Sequence, residues 1–218
     1  MPAPAHLRLV KSDAAPGRRA RGKAEKLRRI TQAARQLFIE KGYDDTTTRE
    51  IARRAGVGLG TLFTYASDKR DLLFLIFNDE LEAVIDAAFG GGRHPADLLD
   101  RLESIFRPFY VFFARQPELS RFMLRELTFY LDGREARRFQ DDRERIIANL
   151  ATLIDAAKAK GVLGSRESSN VIARAIFAIY GAEIRRWLST DSRRPNLAQG
   201  MASLRRMLGL LVAGLAPR

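Results

Sequence analysis

The sequence contains no cysteine and only two histidines, His6 and His94. Without cysteine there is no disulfide, no thiol redox sensor, no iron–sulfur cluster and no zinc site of the cysteine type. Two histidines so far apart in sequence argue against a histidine metal site and against a histidine-dependent catalytic triad. We therefore expect no metal and no cofactor, and we expect a protein that is not an enzyme.

Long apolar segments are also missing from the sequence. No uncharged apolar run reaches the ~18 residues that a membrane-spanning helix needs. The first 22 residues lack the apolar core of a secretory signal. We therefore expect a cytoplasmic protein with no membrane partner.

Basic residues are abundant and concentrated in the first third of the 218-residue chain. The formal net charge is +12. Residues 1–70 hold 16 Lys+Arg against 7 Asp+Glu, a net of +9, whereas residues 71–218 hold 22 against 19. A local basic excess favours a polyanionic partner, either nucleic acid or a membrane surface. Charge alone leaves open a solvated basic tail, and residues 1–22 indeed look disordered.

The apolar pattern after residue 22 has the period of α-helices throughout, and no segment alternates as a strand would. We therefore predict an all-α fold of about nine helices, separated by glycine, proline and polar breaks. The predicted helices span residues 23–41, 48–55, 59–66, 69–89, 95–115, 117–131, 134–160, 168–189 and 195–213.

The segment 47–69 carries the most specific pattern. Two short helices joined by a tight turn need a small residue where they cross, supplied by Ala52. They also need a residue tolerant of unusual backbone angles in the turn, supplied by Gly56. The apolar residues expected between the two helices are Ile51, Ala55, Val57, Leu62 and Tyr65. This pattern predicts a helix-turn-helix.

These residues also resemble a known family. The matching motifs are Lys41-Gly42-Tyr43, Thr47-Thr48-Arg49-Glu50-Ile51-Ala52, Ala55-Gly56-Val57, Gly60-Thr61-Leu62-Phe63, Tyr65, and Lys69-Arg70-Asp71-Leu72-Leu73. Residues 24–73 thus resemble the DNA-binding region of the tetracycline-repressor-like (TetR) family of bacterial transcriptional regulators. Three positions depart from the family pattern: Gly58 replaces Ser, Phe63 replaces Tyr and Ala66 replaces Phe.

The resemblance implies a three-helix DNA-binding unit over residues 23–68 and a larger helical ligand-binding and dimerisation unit over residues 69–218. It implies that the third helix reads the major groove of double-stranded operator DNA. The residues expected to contact DNA are Thr48, Arg49, Thr61, Thr64, Tyr65 and Lys69. Arg18 to Lys23 would add nonspecific affinity or stay solvated.

The last two predicted helices have patterns typical of helix pairing. The spacing of Leu197, Met201, Leu204, Leu208, Leu211 and Leu215 is that of a heptad seam. The preceding helix is apolar on two sides. The resemblance implies a homodimer held by these helices; the alternative is a hairpin within one chain. The expected interface residues are Ile184, Trp187, Met201, Leu204, Leu208, Leu211 and Leu215.

Aromatic residues cluster in the middle helices, either as plain core or as the wall of a pocket for an apolar small-molecule effector. The candidate pocket residues are Phe109, Phe113, Phe122, Glu126, Phe129, Tyr130, Phe177 and Tyr180. Glu126 interrupts an apolar helix face, so it needs an internal partner such as Arg107, or a cationic or hydroxyl-bearing ligand. Glu183 poses the same alternative.

Together these features predict a homodimeric repressor released from a palindromic operator by an apolar effector. Two other classes stay open. One is a DNA-binding protein of this fold that acts through a protein partner, and the other is a helical carrier or enzyme.

Overall fold

The computed structural model describes residues 17–91, 95–127, 130, 132–189 and 194–217. Over these residues the chain forms nine α-helices and no strand, as predicted. The helices are α1 (Arg18–Lys41), α2 (Thr48–Ala55), α3 (Leu59–Phe63), α4 (Lys69–Phe89), α5 (Leu98–Ala114), α6 (Pro117–Glu126), α7 (Arg134–Ala159), α8 (Ser169–Leu188) and α9 (Leu197–Gly214).

The first three helices form a small unit around a buried apolar centre. Ile51 and Leu62 are fully buried where α2 and α3 meet, and Ala52 is 3% exposed. Thr47 and Glu50 form a reciprocal capping box at the start of α2. The turn after α2 passes through Gly56 at φ +63°, a left-handed conformation that glycine adopts without steric cost. The predicted helix-turn-helix is present.

Helix α4 begins where this unit ends and runs through the centre of the molecule. Asp68 caps its first turn by accepting a hydrogen bond from the backbone N–H of Asp71. Its buried residues lie on all sides, because α1, α5, α6 and α7 pack around it. A helix apolar on most of its circumference is buried on most of it.

The remaining helices pack around α4 and against one another. Helices α7 and α8 form one long pair, and α9 lies between α5 and α8. Gly200 marks the closest approach in this region, since a Cβ there would lie 2.7 Å from Trp187 Cδ1 and 2.9 Å from Tyr110 Cε1. Glycine therefore lets α9 approach the aromatic side chains of α5 and α8.

Two predicted boundaries in the N-terminal unit were wrong. Helix α1 begins at Arg18 instead of residue 23, so the segment 18–22 is helical and not part of a disordered tail. Residues 1–16 of the predicted tail lie outside the described residues. Helix α3 ends at Phe63 instead of residue 66, and the carbonyl groups of the next two residues, Thr64 and Tyr65, accept hydrogen bonds from Arg134.

Several later helix boundaries also differ from the prediction, and two helices begin directly after a capping residue. Helix α5 begins after Asp97 and α9 begins after Asn196, whose side chains accept hydrogen bonds from the backbone three residues on. Helix α6 ends at Glu126, five residues before the predicted end.

The heptad seam of α9 packs within the chain. Five of the seven predicted interface residues are almost fully buried against α5, α7 and α8: Ile184, Trp187, Met201, Leu204 and Leu208. Leu211 and Leu215 are half-buried against the same core. The first five therefore have little surface left for the predicted contact between subunits, because their own chain already covers it.

Candidate functional site: the reading helix, an apolar cavity and the helix between them

The exposed face of the helix-turn-helix holds four side chains around the start of α2 and the whole of α3. Arg49 and Thr64 are exposed, and Thr61 is half-buried. Phe63, one of the three departures from the family pattern, is 45% exposed. Arg49 makes no hydrogen bond or ion pair with any described residue. An unpaired guanidinium beside an exposed short helix has its five donors free for an external partner.

Three other predicted contact residues have structural partners or a restricted position. Tyr65 is 8% exposed, and its hydroxyl donates to the carbonyl of Lys23 on α1. Lys69 Nζ donates to the carbonyls of Tyr43 and Asp44, each at 3.0 Å, which leaves one N–H free. Thr48, at the first position of α2, is half-buried, and Thr47 is the capping residue.

The basic first turns of α1 lie close to the end of α3, which we call the reading helix because the family resemblance predicts that it reads the major groove. The Tyr65–Lys23 hydrogen bond, at 3.2 Å, joins α1 to the turn that follows α3. Arg18, Arg19, Arg21 and Lys23 are all exposed. Because α1 is helical from residue 18, these charges extend the positive surface of the helix-turn-helix at a fixed position.

An apolar cavity of about 150 Å³ lies among α4, α5, α6, α7 and α8. Four of the predicted pocket residues line it: Phe109, Phe113, Phe177 and Tyr180. Leu81 and Ile146 complete much of its apolar wall, and Ile184, predicted at the dimer interface, also faces it. The structure therefore brings together the α5 and α8 members of the predicted set.

The predicted pocket residues on α6 and just after it do not line the cavity. Phe122 stacks on Tyr43 at 5.6 Å between ring centroids, so it packs against the loop after α1. Tyr130 stacks on Phe74 at 6.0 Å. Glu126 pairs with Arg125 at 3.0 Å and with Arg70 at 3.4 Å, and Arg107 pairs with Glu103 instead. Phe129 lies outside the described residues.

Glu183 also has an internal partner. Its carboxylate pairs with Arg186 at 2.6 Å. That hydrogen bond lowers the pKa of Glu183, so the group stays ionised. Of the two alternatives open for Glu183, the structure favours the internal ion pair.

Two polar residues in the cavity wall, Asp142 and Arg143, were not predicted from the sequence. Asp142 is 8% exposed, and its Oδ2 accepts no hydrogen bond. Nε of Arg143 is likewise buried without an acceptor. Both lie in residues 134–145 of α7, a segment rich in charged residues. Nothing in the sequence distinguishes an inward-facing carboxylate there from its exposed neighbours.

Helix α7 connects this cavity to the reading helix. Its residues Phe139, Asp142, Arg143 and Ile146 line the cavity. At its N-terminus, Arg134 donates to the carbonyls of Thr64, at 3.1 Å, and of Tyr65. One helix thus contacts both the cavity and the C-terminal end of α3.

The N-terminus of α7 is itself held by a buried carboxylate of α4. Asp71 is fully buried, and its Oδ1 accepts from the backbone N–H groups of Glu135 at 2.8 Å and Ala136 at 3.1 Å. Its Oδ2 accepts from the N–H of Ser67 in the turn after α3. Gly133 provides no side-chain cap, so Asp71 caps α7 from another helix. A Cβ at Gly133 would overlap Asp71 Oδ1.

An exposed apolar face remains on α8 and α9. Met207 is 40% exposed and Leu210 is 68% exposed. They continue a stripe that begins at Ser203, which accepts a hydrogen bond from Arg186 of α8. On α8 the adjoining residues are Ile179, which is half-buried, and the exposed Ala178 and Ala182. We call these residues, Ala178, Ile179, Ala182, Met207 and Leu210, the outer face.

Within the described ranges, no group of three or more His, Asp or Glu side chains is arranged to hold a metal ion. Among the helices described, none is long and apolar enough to span a bilayer.

An all-helical chain with an exposed helix-turn-helix and an internal cavity has the architecture of a DNA-binding regulator. Residues 30–76 match the family model described as bacterial regulatory proteins, tetR family. Residues 30–76 therefore form a DNA-binding region of the TetR type, which agrees with the resemblance identified in the motifs.

Individual relatives agree with this assignment. The chain is 27% identical over 189 residues to the HTH-type transcriptional repressor BepR of Brucella suis, covering 84% of this chain and 85% of BepR. It is 40% identical over 78 residues to the HTH-type transcriptional regulator HbdR of an Aromatoleum species. That match spans about a third of the length of HbdR, 34%. Both relatives are named as transcriptional regulators.

Solved structures share the whole fold. FadR of Thermus thermophilus, a TetR-family transcriptional repressor in complex with lauroyl-CoA, superposes with a TM-score of 0.67 at 26% identity. The superposition covers 88% of this chain and 96% of FadR. FadR of Bacillus subtilis, in complex with stearoyl-CoA, gives a TM-score of 0.65 at 19% identity, which shows a common fold.

Proposed function

We propose that this regulator is a homodimeric repressor that leaves a palindromic operator when a small apolar effector enters the cavity. The observation that carries the proposal is the span of α7, which lines the cavity and also contacts the reading helix through Arg134. BepR and the Thermus FadR are both named as repressors, which supports repression over activation. We keep the division at residue 68, with the DNA-binding unit now extended back to Arg18.

Four side chains, three of them exposed and one half-buried, are proposed to face the major groove. Arg49 donates to a guanine edge, and Thr61 and Thr64 border the reading surface. Phe63, exposed and apolar, contacts a thymine methyl group, the base feature that apolar side chains recognise. Thr48 and the remaining N–H of Lys69 bind phosphates at the N-termini of α2 and α4. Tyr65 orients α1 instead of reading bases.

The outer face is proposed as the dimer interface. It lies on α8 and α9, the two helices that the family resemblance implied, but it uses side chains that the chain itself leaves exposed. Small residues on α8 let a second copy approach closely, and Leu210 supplies an apolar anchor. A dimer would place two reading helices about 34–36 Å apart, or a multiple of that, on a palindrome.

Replacing Arg49 with alanine is expected to weaken operator binding and to reduce sequence preference. Loss of a base contact costs about 1–3 kcal/mol, roughly fivefold to 150-fold in affinity. Fluorescence anisotropy with the operator and a scrambled duplex measures both effects. The control is Arg54→Ala, because Arg54 lies on the same helix and pairs with Glu40. An equal loss on both duplexes would assign Arg49 to phosphate binding instead.

Replacing Arg134 with glutamine is expected to weaken operator binding roughly fivefold, since the two carbonyls that follow α3, those of Thr64 and Tyr65, lose charge-assisted hydrogen bonds. Binding to scrambled DNA should change little, because the positive surface of α1 and α2 is retained. The control is Arg137→Gln, whose arginine donates to Asp132 near the same helix end. The coupling role would be rejected if the two variants bound the operator with the same affinity.

A regulator of this fold without an effector remains the second candidate. Full operator affinity in the presence of every cavity-binding compound would favour it.

A further inference from the structure

The cavity wall contains two polar atoms that no described residue satisfies. Oδ2 of Asp142 and Nε of Arg143 are buried without a hydrogen-bond partner, although both residues line an otherwise apolar space. A buried polar group without a partner costs about 1–3 kcal/mol, so two at one site call for an explanation. A ligand that pairs with both atoms would remove that cost.

Charged groups around Asp142 leave its Oδ2 available. Arg145 approaches Oδ1 at 3.8 Å, a distance too long for a hydrogen bond. Glu82, Arg138 and Asp141 also act on this carboxyl, and burial is the largest cause of its raised pKa. A raised pKa means that the ionised form is poorly solvated in the protein.

The guanidinium of Arg143 is already balanced in charge. Its Nη2 pairs with Glu144 at 3.0 Å outside the cavity, whereas Nε has no acceptor. Two residues of the cavity wall therefore hold one unpaired acceptor of negative charge and one unpaired donor of positive charge. A complementary ligand needs one donor and one acceptor, and it needs no net charge.

The size of the cavity limits the apolar part of the ligand. About 150 Å³ is the size of an apolar cavity that holds one benzene ring. It is below the ~300–1,000 Å³ of sites for larger organic ligands. The aromatic side chains of Phe109, Phe113 and Phe177 provide faces and edges for such a ring.

We propose that the cavity binds a neutral single-ring molecule that carries a hydroxyl group, that is, a phenol or a benzyl alcohol. The hydroxyl donates to Asp142 Oδ2 and accepts from Arg143 Nε, while the ring fills the apolar part of the cavity. A hydrocarbon leaves both atoms unpaired, a monocation leaves Arg143 Nε unpaired, and a carboxylate is repelled by Asp142. This inference rests on the proposed function, because it takes the cavity to be the effector site.

The test compares matched probes on the full-length protein by titration calorimetry. 4-Ethylphenol and 4-ethyltoluene have the same shape and differ by a hydroxyl against a methyl group. We expect 4-ethylphenol to bind at least about tenfold more tightly, since the hydrocarbon leaves two polar atoms unpaired. 4-Ethylbenzylammonium, the cationic probe, should bind more weakly than the phenol. Equal affinities, or tighter binding of the hydrocarbon or of the cation, would overturn the proposal.

Two variants test whether Asp142 is responsible for the preference for the phenol. In Asp142→Leu the preference for the phenol should disappear, whereas Asp141→Asn, at the exposed neighbouring position, should retain it. Retained preference in Asp142→Leu would also overturn the proposal. The wild-type comparison needs no variant, so the test stands even if Asp142→Leu fails to fold.

An operator-release assay with the same probes separates this inference from the proposed function. A phenol preference without operator release would contradict the proposed function and leave the ligand class supported. Release by phenol and hydrocarbon at equal concentrations would contradict the ligand class and leave the proposed function supported.

Discussion

Replacing Asp71 with alanine is expected to destabilise the protein by about 3 kcal/mol or more. The substitution removes one fully buried carboxylate that accepts from three backbone N–H groups, those of Ser67, Glu135 and Ala136. Each buried donor left without an acceptor costs about 1–3 kcal/mol. For a chain of this length the melting temperature should fall by roughly 6–12 °C.

Urea unfolding at a fixed protein concentration measures this effect. The control is Asp79→Ala on the same helix, because Asp79 is exposed and pairs with Arg138 on the surface. A surface pair of this kind contributes about 0–1 kcal/mol. Gly133→Ala should destabilise as well, since its Cβ would overlap the same carboxylate from the other side. Equal stability of the Asp71 and Asp79 variants would show that Asp71 does not hold α7.

Replacing Leu210 with glutamate is expected to convert the dimer to monomers and to reduce operator affinity by a factor of about 10²–10⁴. A twofold interface would bury the new glutamate of each subunit, so each dimer would contain two carboxylates without water or a partner. Burying them has a large free-energy cost for dimerisation. Operator affinity falls because the second half-site no longer binds as part of the same molecule. The fold should be unaffected, since Leu210 is 68% exposed in the single chain.

Light scattering with size-exclusion chromatography gives the mass, and anisotropy gives the operator affinity. Val111→Glu is the matched control, because Val111 is an exposed apolar residue on α5, outside the outer face. A dimeric Leu210→Glu protein would place the interface elsewhere on the molecule.

Features specified by residues close in sequence were predicted well. The bounds of α2 and α4 agree with the prediction because Thr47, Glu50 and Asp68 cap those helices through bonds to residues three positions away. Gly56 in the turn is equally local. The start of α1 was missed because Gly17 makes no side-chain cap, so no local signal marks it.

Features that depend on distant residues were predicted poorly. A heptad seam shows that a helix has an apolar partner, but it does not show whether that partner belongs to the same chain; here α9 packs on α5 and α8. The apolar face of α6 was assigned to the pocket, yet Phe122 packs on Tyr43. Asp71 caps a helix that begins more than sixty residues later, and the sequence holds no sign of that pairing.

The central claim is that this regulator reads a palindromic operator as a dimer. Selection of genomic DNA fragments by the purified full-length protein, followed by sequencing, tests it most directly. The account predicts enriched fragments that share a palindrome with half-site centres about 34–36 Å apart or a multiple of that spacing. Enrichment that follows base composition alone, or a shared motif without twofold symmetry, would contradict it.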